Sequence, residues 1–438
     1  MSSVLILLSG FDPGTYFVED DGIPNNGVAR LRAPDGDVIS FNIPTEHLTI
    51  TASAGRSVVF NLTEWNAVAD VIVGSLTDST QNPDSIQVQR IAGAQDVTLV
   101  SNGVVAEFGA DPAADIVAGT LIMSAATGIG AGNAIETQTG LFEAETTTGG
   151  INVTNFGNVQ IGGLTDDVNG LHVATSGNIL FTNLGSILLA EASPGAFESV
   201  HGGTTSGNVT LIANGYDADI IANVDQDSIA APSGNINLTA GRDIAFGTLG
   251  LNFDNDVRAS GALTINAGRD FNVDGFADIA SDGFGAGTGG NLTITAGRDI
   301  NVLNSTGTDG SIGAEGNAGA DAILTTGPGG FLRLLASSTA TLFSSSGDVI
   351  VNADRTVISA TSGISASGGQ VVLRPATAGW AIDVGSATDG AFALELSDAE
   401  LDRIFTPNLT IGSAQAGLVT ISASITPSNA PDLVIQSG

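Results

Sequence analysis

The chain has 438 residues, 46 acidic against 12 basic, a formal net charge of −34 and no cysteine. Without cysteine there are no disulfides, no thiol chemistry and no thiolate metal sites, and so acidic a surface repels nucleic acid and anionic membranes. Regularly placed Val, Ile and Leu argue against disorder, and 59 glycines without a three-residue period exclude a collagen-like chain.

The first stretch, 1–112, shows no repeat. The apolar run Val4–Leu8 is too short for a membrane span and lacks the basic start of a signal peptide, so it predicts a buried strand. The chain then reads as a mature product or a segment of a larger secreted protein. Dense turn signals come next, such as Asp12-Pro13-Gly14 and Ala33-Pro34-Asp35-Gly36. Strand-like runs lie between them, among them Val38–Ile43, Leu48–Ala52, Ser57–Leu62 and Asp70–Val73. This region is either an irregular solenoid start or a small separate β-domain.

From Asp115 a pattern emerges, with strands at Ile116–Met123, Ala134–Thr139, Leu141–Thr146 and Ile151–Asn155. A Gly-plus-strand signature then recurs from Gly150 at offsets of 27, 30, 27, 27 and 29 residues. It is clearest in three near-copies: SGNINLTAGRDIAF from Ser233, SGALTINAGRDFNV from Ser260 and GGNLTITAGRDINV from Gly289. Ile236, Leu238 and Ala240 fall on one face, matched by Leu263, Ile265, Ala267 and by Leu292, Ile294, Ala296. That period of two marks a half-buried strand. Gly-Arg-Asp reads as a corner before a second short strand.

One strand–corner–strand unit cannot bury its apolar face alone, whereas stacked copies can. An antiparallel sandwich also has many short strands, but it does not require identical residues at near-fixed spacing. The expected fold is therefore an all-β, right-handed parallel β-solenoid (β-helix) with coils of roughly 25–30 residues. At strand spacing, about 16 coils would rise on the order of 80 Å. The repeats are expected over 113–392, with Asp278–Thr288 and Ser305–Ala320 as Gly-rich turns bulging from one corner. Terminal coils over 393–438 carry a capping-box spacing at Ser397-Asp-Ala-Glu400 that predicts one helical turn.

The phrases GNINLTAGRDI, GALTINAGRDF and GNLTITAGRDI, with 393–404 and 149–157, resemble the filamentous haemagglutinin-like family of large bacterial surface proteins. The resemblance covers about Asp115 to Pro427. It implies a β-solenoid exported by two-partner secretion, with roles in adhesion, filaments or biofilm matrix. The family's N-terminal secretion motifs are not found in residues 1–112.

Candidate chemistry is sparse. Arg242-Asp243, Arg269-Asp270 and Arg298-Asp299 recur at the same place, which points to a corner ladder of alternating charge rather than to one catalytic site. The three histidines, His47, His172 and His201, share no motif and support neither a nucleophile–base pair nor a His metal site. Asp-x-Asp pairs in turns offer the oxygen donors Ca²⁺ takes, with Asp217, Asp219, Asp225, Asp227, Asp254 and Asp256 as the candidate ligands. No catalytic residue and no other cofactor is expected.

The expected function is a structural, non-enzymatic extracellular rod or filament subunit at the cell surface. Its expected partners are copies of itself or adjoining solenoid segments end to end, and glycans or proteins of a host or cell surface. The rival is a polysaccharide-processing β-helix enzyme, which would need a cleft lined by non-repeating carboxylates and Arg.

Overall fold

The computed structural model describes residues 2–65, 68–190, 199–222, 228–247, 256–274, 277–285, 289–303, 310–316, 319–335 and 341–438. The chain is all-β and forms a parallel β-solenoid. It divides into two compact units, Met1–Ile212 and Ala213–Gly438.

In the second unit each regular coil contributes three short strands. The first file stacks Ile236–Ala240, Leu263–Ala267, Leu292–Ala296 and Ala322–Thr325, with Ile236 over Leu263 over Leu292 in parallel register. A second file stacks Ile244–Phe246, Phe271–Val273 and Ile300–Val302. The third stacks Val257–Ala259, Asp278–Ser281, Ser311–Ala314 and Leu342–Ser344. This third file corrects the reading of Asp278–Thr288 and Ser305–Ala320 as turns throughout. Each holds a strand of four residues whose single Ile, Ile279 or Ile312, is fully buried. Glycine and serine around it hid the alternation.

The side chains at 236, 238, 263, 265, 292 and 294 all lie at 0 % exposure. Full burial of each such side chain contributes about 1.5–3 kcal/mol. The rest of the repeated phrase has a mechanical reading. Ala240, Ala267 and Ala296 end the buried face. The next residue must be Gly, because a Cβ at Gly241, Gly268 or Gly297 would overlap the carbonyl oxygen of the glycine one coil before it. Arg and Asp then tie one coil to the next. After Gln370–Arg374 the chain adds a three-stranded parallel sheet of Ala381–Val384, Ala393–Leu396 and Val419–Ile421. The capping box forms as expected: Ser397 and Glu400 bond reciprocally at the start of the helical turn Asp398–Leu401.

The first unit uses the same ladder with less regular coils. Thr120 pairs with Asp96 of one neighbour and Leu141 of the other, so successive coils here take 24 and 21 residues. A buried amide ladder runs from Thr137 to Asn155 to Asn183, with side-chain bonds of 2.9 Å. The strand Gly14–Asp20 pairs in parallel with Arg56–Leu62 on one edge and antiparallel with Val28–Arg32 on the other. Val28–Arg32 in turn pairs antiparallel with Val38–Asn42, so a hairpin covers that edge. Val4–Leu7 is a strand, parallel to His47–Thr51, yet it is not wholly buried as the sequence suggested. Leu5 and Leu7 are 62 % and 53 % exposed while Leu8 is enclosed. An apolar run on an alternating strand with one covered face must turn every second side chain outward.

Candidate functional site

Repeating and non-repeating charges behave differently. At the Gly-Arg-Asp corners each arginine reaches back one coil. Arg242 Nε donates to Asp219 Oδ1 at 2.8 Å, Arg269 Nε to Asp243 Oδ1 at 2.8 Å and Arg298 Nε to Asp270 Oδ1 at 2.7 Å. In each pair Nη2 takes the second carboxylate oxygen. Arg333 continues the column, with Nη1 3.0 Å from Asp299 Oδ2. The same carboxylates accept a backbone N–H from the next coil: Asp243 donates to Asp219, Asp270 to Asp243 and Asp299 to Asp270, at 3.0, 3.1 and 3.2 Å. Burial pushes Asp219 up, but the Arg242 guanidinium outweighs it and holds the carboxyl below its ordinary value. The predicted corner ladder is present.

Of the candidate calcium ligands, Asp217, Asp219 and Asp256 lie among the described residues. Asp217 lies exposed in a turn, while both oxygens of Asp219 are engaged by Arg242. Asp256 Oδ1 accepts the Asp278 N–H at 2.7 Å. Asp225, Asp227 and Asp254 lie outside the described residues.

The first unit instead gathers carboxylates without a cation. Glu107, Asp115 and Glu136 bring one oxygen each within 4.8 Å of the others. Asp115 is 1 % exposed and accepts the Glu136 N–H at 3.1 Å. Glu136 Oε2 is buried and has no hydrogen-bond partner among the described residues. The nearby Arg90 guanidinium is bonded to the Ala114 carbonyl. Burial pushes Asp115 up to about 8, with Glu107 and Glu136 adding repulsion, and burial raises Glu136 as well. Such a group can hold a proton between two carboxyls, and its oxygens are of the donor type Ca²⁺ takes.

A second group lies on an outward-facing file. Strand register places Ser124 beside Glu145, Glu145 beside His172 and His172 beside His201. Ser124 Oγ donates to Glu145 Oε1 at 2.8 Å. The imidazole rings of His172 and His201 stand 5.2 Å apart between centroids, tilted at 68°. His201 Nδ1 is buried without a partner among the described residues. Burial raises Glu145, with the Asp167 charge adding to it, and burial pushes His172 down to about 4. One residue-pair away, buried Glu143 is pushed up to about 7 by burial, with its oxygens bonded to the Leu164 N–H and Thr165 hydroxyl. A cleft of about 270 Å³ opens over this file, lined by Asn82, Asn102, Ser124, Glu145 and His172 among others.

Reading the histidines as scattered missed this file. His172 and His201 are 29 residues apart, which is one coil, and the same spacing separates Leu263 from Leu292. Counting in coils rather than in motifs would have found it. No family model, curated protein or solved structure matches the chain.

Proposed function

We propose that the chain is a structural, non-enzymatic solenoid module of an extracellular, adhesin-like or biofilm-matrix surface protein, extended end to end by copies of itself or by adjoining solenoid segments. The observation that supports this reading is the fate of the recurring charges. Each Arg and Asp of the repeated corner is taken up in joining one coil to the next. A sequence that repeats its charged residues to hold its own coils together encodes a scaffold. Glycans or proteins of a neighbouring surface are the partners such a scaffold would present itself to. The rival polysaccharide-processing reading asks for non-repeating carboxylates with Arg in one cleft. The cleft over Glu145 and His172 has no Arg among its lining residues.

Negative-stain electron microscopy of the purified chain, with and without Ca²⁺, tests the proposal. Elongated particles that join at their ends support it. Compact globules, or depolymerisation of an acidic or neutral polysaccharide by the same preparation, would overturn it.

A further inference from the structure

We propose that His172 and His201, with Glu145 beside them, form a binding site for a divalent transition-metal ion such as Zn²⁺ that bridges adjacent coils of the first unit. The chain has three histidines in 438 residues, and two of them sit opposite each other on paired parallel strands with their rings in contact. A tetrahedral zinc holds imidazole nitrogens at about 2.0–2.1 Å, which puts the centres of two such rings about 5 Å apart. The observed separation is 5.2 Å. Both rings must turn about their own side-chain bonds to direct one nitrogen of each at a common point, because the ligand atoms of Glu145, His172 and His201 do not all lie within 4.8 Å of one another as they stand.

Two further observations point to an ion. His201 Nδ1 is buried with no hydrogen-bond partner among the described residues, a state that normally costs stability and that coordination would relieve. The surroundings also carry negative charge with no compensating cation among the described residues. Glu145 is next in the file and the Asp167 charge acts on it. The arginines of this unit are engaged elsewhere: Arg30 and Arg32 with Glu19, Arg56 with the carbonyls of Ala54 and Phe11, and Arg90 with Ala114. Glu145 holds Ser124 through Oε1, so its recruitment as third ligand requires that carboxylate to swing from the hydroxyl to the ion. Imidazole donors select transition metals over Ca²⁺ and Mg²⁺, which take oxygen. The ion would clip the strand Leu171–Ser176 to Val200–His201, adding binding free energy to the backbone pairing there.

The test is a Zn²⁺ titration of the intact chain, followed by X-ray absorption at the zinc edge. The expected result is one ion per chain with two imidazoles in its shell. His172→Gln and His201→Gln each abolish that binding, Glu145→Gln weakens it by about tenfold, and His47→Gln leaves it unchanged. No binding by the intact chain, a shell of oxygens only, or binding that survives His172→Gln/His201→Gln overturns the proposal. The absorption spectrum of the unaltered chain decides the matter even where a variant fails to fold.

Discussion

Both units are built on parallel backbone ladders, and the charge column of the second contrasts with the carboxylate clusters of the first. In the second, carboxylates recur at the coil period and each meets an arginine from the next coil. In the first, Glu107, Asp115, Glu136 and Glu145 do not recur, and no ion pair joins any of them to an arginine among the described residues. Desolvation without a partner raises a carboxyl, whereas a guanidinium lowers it. Asp115 and Asp219, both nearly inaccessible to solvent, accordingly move in opposite directions, and Asp115 is the more strongly desolvated of the two. In a solenoid, then, a repeating charge belongs to the scaffold, and a charge that breaks the repeat marks where to look for binding.

The largest expected effect breaks this contrast at Asp115. Its folded-state value is near 8 against an ordinary value of 3.8. The folded form keeps a proton that the unfolded chain releases, so the contribution of Asp115 to stability is fullest below about 4 and declines as pH rises toward 8. The groups facing it are Glu107 and Glu136, with Asp111 acting on Glu136. Asp115→Asn removes the titration at nearly constant shape. Urea unfolding across this range should show the variant gaining on the wild type by up to about 5 kcal/mol at the alkaline end. Curves that stay parallel would mean that Asp115 is ionised when folded. Asp219 has the reverse sign, because its stabilisation is present above the ordinary value and is lost as pH falls through its lowered one.

The glycine column sharpens the comparison from the scaffold side. Gly268→Ala forces a methyl group against the Gly241 carbonyl oxygen, and neither backbone can withdraw without opening the coil. A loss of about 2–3 kcal/mol is expected in the unfolding of the second unit. Gly10→Ala, where a Cβ meets nothing within 4 Å, is the control and should change stability by about 0.5 kcal/mol or less. Equal effects at the two positions would remove the argument that Gly-Arg-Asp is a packing motif.

The ladder itself predicts an asymmetry. Asp270→Ala removes the partner of Arg298 and also the acceptor of the Asp299 N–H, so it should cost about 1–2 kcal/mol. Arg298→Ala leaves that N–H bond in place. The Arg298 side chain is 57 % exposed, and loss of so solvated a partner should cost about 1 kcal/mol or less. Thermal unfolding of the two variants in low and high salt checks the order: the Arg298→Ala effect should fade with salt, while the part of the Asp270→Ala effect due to the lost N–H acceptor should remain.

What the sequence made legible was whatever repeated. The stacking of Ile236, Leu263 and Leu292 and the Arg–Asp corner could be read because the phrase was written three times. The capping box at Ser397 could be read because local side-chain chemistry sets a helix start. The third strand of each coil could not, since Asp278–Ser281 and Ser311–Ala314 hold one large apolar residue each amid glycine and serine. The groups at Asp115 and His172 were invisible for a different reason. Glu145, His172 and His201, like Asp115 and Glu136, come from separate coils with no shared motif, and register brings them together.

The smallest expected effect on stability concerns Leu5 and Leu7. Both side chains are largely exposed on a strand whose pairing, among the described residues, is with His47–Thr51. Replacing both with Asn removes apolar surface that the folded chain does not bury, so unfolding should shift by about 0.5 kcal/mol or less. An exposed strand edge with apolar side chains is also the kind of surface onto which another chain adds. Sedimentation velocity of Leu5→Asn/Leu7→Asn against the wild type therefore separates two uses of the same residues. Unchanged stability with weakened self-association places this strand in the joint between copies. A large loss of stability instead would mean that Leu5 and Leu7 pack within the chain, and end-to-end assembly would then have to be sought at another surface.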